Sequence, residues 1–182
     1  MLWIIVGPTA TGKSTLVRGL AKKGYRTIVS HTTRTRRRGE TPGVDYWYVN
    51  ENTMREMIRT EQLAEYTRYG EHYYGIAKSS ITSVHNHPEM VSLAVVDGYG
   101  FIKLKQLFDY RAIFLLPPSK LELARRLRER GDTEEFINTR LSTIDLEVEF
   151  SMLTNYAIAP DTIENTLEIA DYLIQLVENA YK

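Results

Sequence analysis

Leu2-Trp3-Ile4-Ile5-Val6 runs straight into Gly7-Pro8-Thr9-Ala10-Thr11-Gly12-Lys13-Ser14, and this junction decides the fold. The apolar run reads as a buried strand. After it, Leu16, Val17, Leu20 and Ala21 recur at helical spacing, and Gly24 stands where a helix would stop. A glycine-rich turn between such a strand and such a helix has the form of a phosphate loop. Two glycines let the backbone curl until successive N–H groups point inward, and the positive end of the following helix adds to that field. The spacing predicts that Gly7, Pro8, Thr9, Ala10, Thr11, Gly12, Lys13, Ser14 and Thr15 embrace a nucleoside triphosphate. Lys13 is expected on the β- and γ-phosphates, and the Ser14 hydroxyl on Mg²⁺.

The 182 residues suffice for one compact core and are short for two independent ones. Lys plus Arg equals Asp plus Glu at 23 each, so no overall charge bias points to nucleic acid or an acidic membrane. The absence of cysteine removes disulfides, thiolate metal sites and thiol nucleophiles, and suits a reducing compartment. The N-terminal run lacks the basic lead and cleavage site of a signal peptide. No stretch approaches the roughly 20 apolar residues of a membrane helix. A cytoplasmic location is therefore expected.

Strand-like runs at Leu2–Val6, Thr27–Val29, Met90–Val96 and Ala112–Leu116 alternate with helical patterns at Ser14–Lys23, Phe101–Phe108, Ser119–Arg130 and Phe136–Leu153. That alternation argues for an α/β fold with a parallel sheet and helices on both faces. Capping boxes are expected at Ser119 with Glu122, Asp132 with Glu135, and Asp161 with Glu164. The last helix is expected to bury Ile163, Leu167, Ala170, Ile174 and Val177. Residues 35–77 break the rhythm with Arg, Tyr, Gly, Glu and shorter alternating runs such as Leu63–Tyr69, and read as an inserted subdomain. His31, His72, His85 and His87 share no metal-ligand spacing, and His85-Asn86-His87-Pro88 reads as a turn.

Within the insertion, Ser30-His31-Thr32-Thr33-Arg34-Thr35-Arg36-Arg37-Arg38-Gly39-Glu40 is followed by Gly43-Val44-Asp45-Tyr46. Arginines beside hydroxyls and tyrosines suit a phosphate on a small molecule. A nucleic-acid patch and a plain solvated basic face are the competing readings. The order of phosphate loop, this Thr-Thr-Arg segment, Tyr73-Tyr74-Gly75 and a late Arg130-Gly131 resembles the guanylate kinase family from about residue 2 to residue 158. The resemblance implies a P-loop NTPase-type parallel-sheet core (1–30, 81–118 and 142–182), an inserted nucleoside-monophosphate subdomain (31–80) and a short helical lid (119–141).

Carried over by position, the resemblance implies that Ser30, Arg34, Arg37, Tyr46 and Tyr74 hold the acceptor's phosphate. It implies that Glu65 reads a guanine N1–H and amino group, that Arg130 and Arg140 join Lys13 on the transferring phosphoryl group, and that Asp97 lies near the acceptor or, indirectly, Mg²⁺. Arg125, Arg126 and Arg128 are expected to solvate their helix, and Tyr73 to pack. The implied reaction is ATP-dependent phosphorylation of GMP or dGMP, with Mg²⁺, by a monomer or homodimer that binds neither nucleic acid nor membrane.

This sequence departs from the family pattern at three places. Ile76 replaces a Ser or Thr that meets the guanine carbonyl, Val95 replaces the first aspartate of an Asp-x-Asp pair, and Ala159-Pro160-Asp161 replaces Asn-Asp-Asp near the donor's adenine. An apolar residue at 76 leaves a buried acceptor unpaired, at a cost of about 1–3 kcal/mol. Two alternatives follow: the same chemistry on another or modified nucleotide or on a phosphosugar such as a ribose 1,5-bisphosphate precursor, or a non-catalytic phosphopeptide-binding module. The intact phosphate loop argues against the module.

Overall fold

The computed structural model describes residues 1–180; the end of the expected core, residues 181–182, lies outside them. The larger of two sheets has strand order β2-β7-β1-β8-β9 and the smaller β4-β3-β6-β5. The chain divides into two compact units. One holds Met1–Ile4 and Tyr25–Tyr110, the other Ile5–Gly24 and the chain from Arg111 onward. An α/β architecture with a parallel-sheet core is thus present.

In the first unit, β2 (Arg26–Ile28) pairs in parallel with β7 (Ser92–Val95), with Ile28 beside Ala94. The smaller sheet lies wholly in this unit. β3 (His31–Thr32) pairs in parallel with β4 (Trp47–Tyr48) and antiparallel with β6 (His72–Ala77), which forms a hairpin with β5 (Leu63–Tyr69). A bulge between Leu63 and Glu65 sets Glu65 opposite Ile76. Helices α2 (Glu51–Arg59), α3 (Lys78–His85) and α4 (Gly98–Lys105) complete it.

The sequence reading missed α2 and α3 because only Met54 in the first, and Ile81 and Val84 in the second, are buried. Such short helices carry too little apolar stripe to register. Helix α4 begins three residues before the expected Phe101, because Asp97 caps it by accepting from the Gly100 N–H (2.8 Å).

The fully buried β1 (Leu2–Val6) leads into α1 (Lys13–Lys22) of the second unit, which ends against Gly24, whose φ of +98° stops it. β8 (Arg111–Leu115) pairs in parallel with β9 (Tyr156–Ile158). Helices α5 (Lys120–Glu129), α6 (Glu134–Glu149) and α7 (Ile163–Ala180) follow. The last turn expected of the 136–153 helix tightens to a 3₁₀ turn over Phe150–Leu153.

Ser119 caps α5 as expected, accepting from the Glu122 N–H (3.2 Å). The other two expected caps are each one residue early. Thr133, not Asp132, accepts from Phe136 N–H (3.3 Å), and Thr162, not Asp161, accepts from Asn165 N–H (3.1 Å). In α7 the expected Ile163 is exposed. Thr166 and Asp171 are buried instead, Asp171 held by Lys23 (2.7 Å) and Gln175 (3.0 Å).

Candidate functional sites: a phosphate loop and a cradle with a buried carboxyl

The loop from Gly7 to Gly12 takes its shape from two constraints. At Gly7 φ is +144° and a Cβ would stand 2.6 Å from the Leu115 carbonyl oxygen, so no side chain fits. At Gly12 φ is +98° with open space around it, so there only the backbone conformation requires glycine. Thr11 is buried and donates to the Pro8 carbonyl (2.9 Å). The Lys13 ammonium reaches the carbonyls of Gly7 (2.5 Å) and Pro8 (2.6 Å), arching over the loop. Ser14 and Thr15 stand exposed in the first turn of α1.

Of three arginines in the same unit, Arg130 and Arg126 reach this loop. Arg130 donates to the Thr9 hydroxyl (3.3 Å) and is ion-paired with Asp132. Arg140 is buried, its guanidinium 4.8 Å from the centre of the Phe136 ring. The third was not expected here. Arg126 donates to the Ala10 carbonyl (3.2 Å) and is steadied by Glu122 (2.8 Å), whereas Arg125 and Arg128 stay on exposed ion pairs with Glu122, Glu129 and Glu134. Arg126 and Arg130 are four residues apart and share one helix face, a periodic signal that was available in the sequence.

Arg126 also lines a cavity of about 220 Å³ with Gly12, Thr15, Leu115, Pro160 and Thr162. The cavity opens beside the phosphate loop and is bounded by the segment that departs from the family pattern at Pro160.

A separate constellation occupies the first unit. Arg34 is buried. One guanidinium nitrogen donates to Glu40 (2.7 Å) and the other to the Thr35 carbonyl (2.7 Å), while its Nε is buried without a partner. Glu40 gathers three donors: Arg34, the Arg37 N–H (2.8 Å) and the Tyr48 hydroxyl (2.7 Å). Burial alone would raise the Glu40 carboxyl, but these donors hold it down at about 2. The sequence reading gave Glu40 no role. It is the centre that fixes Arg34 and the Arg37 backbone.

Tyr46 stacks edge-on to Tyr48 (6.0 Å) and Tyr74 (5.9 Å) and lies under Arg34 (5.5 Å). Burial and Tyr74 push its phenol up to about 12, so it stays a neutral hydroxyl donor. Ser30 is buried at the same sheet end. Ser30, Arg34, Arg37, Tyr46 and Tyr74 thus belong to one region. Tyr73 packs under Arg68 (5.4 Å), as expected of it.

Glu65 lies in this unit beneath the start of α4. It is 5% exposed, and a Cβ on Gly100 would stand 2.9 Å from its Oε2. Ile76 is fully buried, so it forms a wall beside Glu65. Asp97 has both carboxylate oxygens engaged, one by Gly100 N–H (2.8 Å) and one by the Thr67 hydroxyl (2.9 Å). It caps α4.

For Mg²⁺ the exposed Ser14 hydroxyl is a fitting donor. One hydroxyl completed by phosphate oxygens and waters suits a small hard cation that dehydrates reluctantly. Among the described residues no helix is long and apolar enough to cross a membrane.

A family model described as guanylate kinase matches residues 1–176. A guanylate kinase of Escherichia coli (strain K12) is 36% identical over 172 residues, spanning 91% of this chain and 83% of that protein. A guanylate kinase of Baumannia cicadellinicola subsp. Homalodisca coagulata is 35% identical over 185 residues, spanning 96% and 89%. A crystal structure of guanylate kinase from Anaplasma phagocytophilum covers 97% of this chain and 85% of its own, with a TM-score of 0.77. At 22% identity that likeness bears on the fold.

Proposed function

Since this chain belongs to the guanylate kinase family, we propose that it transfers the γ-phosphoryl group of ATP to the phosphate of GMP or dGMP. The observation that carries the reading is the pairing of a complete phosphate loop with an Arg–Tyr cradle ending at a buried carboxyl. A binding module that only captured phosphopeptides would have no use for the loop's glycines or Lys13.

Gly7 to Thr15 hold the triphosphate, with inward N–H groups and the α1 N-terminus supplying positive field. Ser14 would be the protein's ligand for Mg²⁺, which would supply charge neutralisation at the triphosphate. Lys13, Arg130 and Arg140 place positive charge against the negative charge on the transferring group, and Arg126 steadies the loop beside them. Ser30, Arg34, Arg37, Tyr46 and Tyr74 bind the acceptor's phosphate through convergent donors, of which only the arginines are charged.

Glu65 meets the base, flanked by Asp97 and Ile76. The acceptor's phosphate oxygen is already a nucleophile, so the protein positions and shields and needs no strong base. Residues 31–80 then act as the acceptor subdomain and 119–141 as the lid.

ADP release from Mg²⁺-ATP with GMP, dGMP, AMP, dTMP and ribose 1-phosphate tests the reading. Turnover confined to GMP and dGMP is expected. Silence with both at millimolar concentration would sink it.

A further inference from the structure

Glu65 sits in an enclosure that disfavours its charge. Across the hairpin its partner is Ile76, fully buried, whose backbone N–H donates to the carboxyl. On α4, the bare Cα of Gly100 lets the first helical turn close against Oε2. The charged groups that face Glu65 both come from α4. Asp97 has the same sign as a Glu65 carboxylate. Lys103 has the opposite sign, but its ammonium donates to the Tyr66 carbonyl and lies over that ring (4.6 Å). On its own strand the neighbours are Tyr66 and Thr67, and the Thr67 hydroxyl is given to Asp97. Among the described residues no cation forms an ion pair with Glu65. Burial first, then Asp97, push its carboxyl up to about 8, and Lys103 and the Ile76 N–H oppose them only in part.

We propose that Ile76 is a positioning residue acting through Glu65. By walling the carboxyl with hydrocarbon where a hydroxyl could have hydrogen-bonded it, Ile76 makes capture of the acceptor base proton-coupled. Glu65 holds a proton until a 2-amino-6-oxopurine offers its N1–H and amino group, and then releases that proton to solvent. This rests on the reading above that Glu65 meets the base.

The chemistry is balanced by two hydrogen-bond patterns. A carboxylate accepts two parallel N–H groups, which the guanine edge supplies. A neutral carboxyl has one O–H donor and one free acceptor, so against that edge its O–H opposes the guanine amino group, whereas hypoxanthine presents no amino group to oppose it. Selectivity for GMP over IMP therefore widens as pH rises, by about tenfold between pH 6.5 and 8.

The experiment is calorimetric titration of GMP into the whole protein at pH 7, in buffers of different ionisation heat. Wild type and Ile76→Val are expected to release close to one proton per GMP bound, and Ile76→Thr much less, because its hydroxyl favours the ionised Glu65 beforehand. Equal release by wild type and Ile76→Thr would overturn the inference and leave the function reading intact. Failure of GMP to bind at any pH would overturn both. Should Ile76→Thr not fold, the ¹³C carboxyl resonance of Glu65 in the wild-type protein decides. A midpoint near 8 supports the proposal, and one in the usual carboxylate range refutes it.

Discussion

In the proposed reading the phosphate loop and the acceptor cradle solve the same problem, holding phosphate, by opposite means. The loop uses consecutive residues and backbone. Six positions from Gly7 to Gly12 are shaped by glycine conformations and one close carbonyl, with Lys13 drawn over them. The cradle is assembled from Ser30, Arg34, Glu40, Tyr46, Tyr48 and Tyr74, on separate strands and turns, and is held by charge. A loop of backbone donors is robust to its surroundings and intolerant of a single atom added in the wrong place. A cradle of side chains tolerates local change and depends on the one carboxylate that organises it.

That contrast can be broken at its strongest point by Lys13→Met. It should lower kcat by about 10²–10³ and leave the thermal unfolding curve and GMP binding unchanged. A matching loss of GMP affinity would mean the two regions are not separable.

On the cradle side, Glu40→Gln should raise the KM for GMP more than tenfold, and lower stability at pH 7 by about 2–3 kcal/mol. Its pH dependence has a definite sign. The folded carboxyl is held near 2, below its ordinary 4.5, so its stabilisation is complete above pH 4.5 and fades as pH falls toward 2. Urea titrations of wild type should show that slope, and those of the variant should lack it.

The two glycines sharpen the backbone half of the argument. Gly7→Ala meets the Leu115 carbonyl and should abolish measurable ATP binding. Gly12→Ala has open space and only an unfavourable φ, at about 1 kcal/mol. Equal effects would refute the claim that close approach, rather than backbone conformation alone, defines the first position. A smaller shift is expected from Arg126→Ala, about fivefold in the KM for ATP by loss of one hydrogen bond of about 1 kcal/mol, with Arg128→Ala silent.

The smallest effect separates the two readings of a helix start. Thr162→Ala should cost about 1 kcal/mol of stability and Asp161→Ala close to nothing.

The phosphate loop, its strand and its helix were legible from residues 2–24, because what marks them in the sequence is local: a short apolar run, helical spacing, and glycine where φ is positive; the Leu115 carbonyl that excludes a side chain at Gly7 was not. The Asp-Thr pairs at 132–133 and 161–162 were misread in the same way. Either residue can cap, and the choice depends on where the chain enters the helix; in the first pair Asp132 is also drawn to Arg130. Arg126 was set aside although it shares a face with Arg130, since spacing alone does not say what a helix face meets. Glu40 looked like one charge among many until three donors were found around it.

By itself the sequence determined the elements with a strong local period, the loop chemistry, and a family resemblance that the residues from Ser30 to Tyr46 made specific. Only the tertiary structure decided the ionisation of its carboxylates. Glu40 and Glu65 are the same residue type, yet one is held near 2 and the other pushed up to about 8. The physical reason is that a pKa is set by what surrounds the charge: an arginine, an amide and a phenol in one case, burial beside an aspartate in the other. Those neighbours are brought in by strand pairing and helix packing, from positions that no local pattern connects.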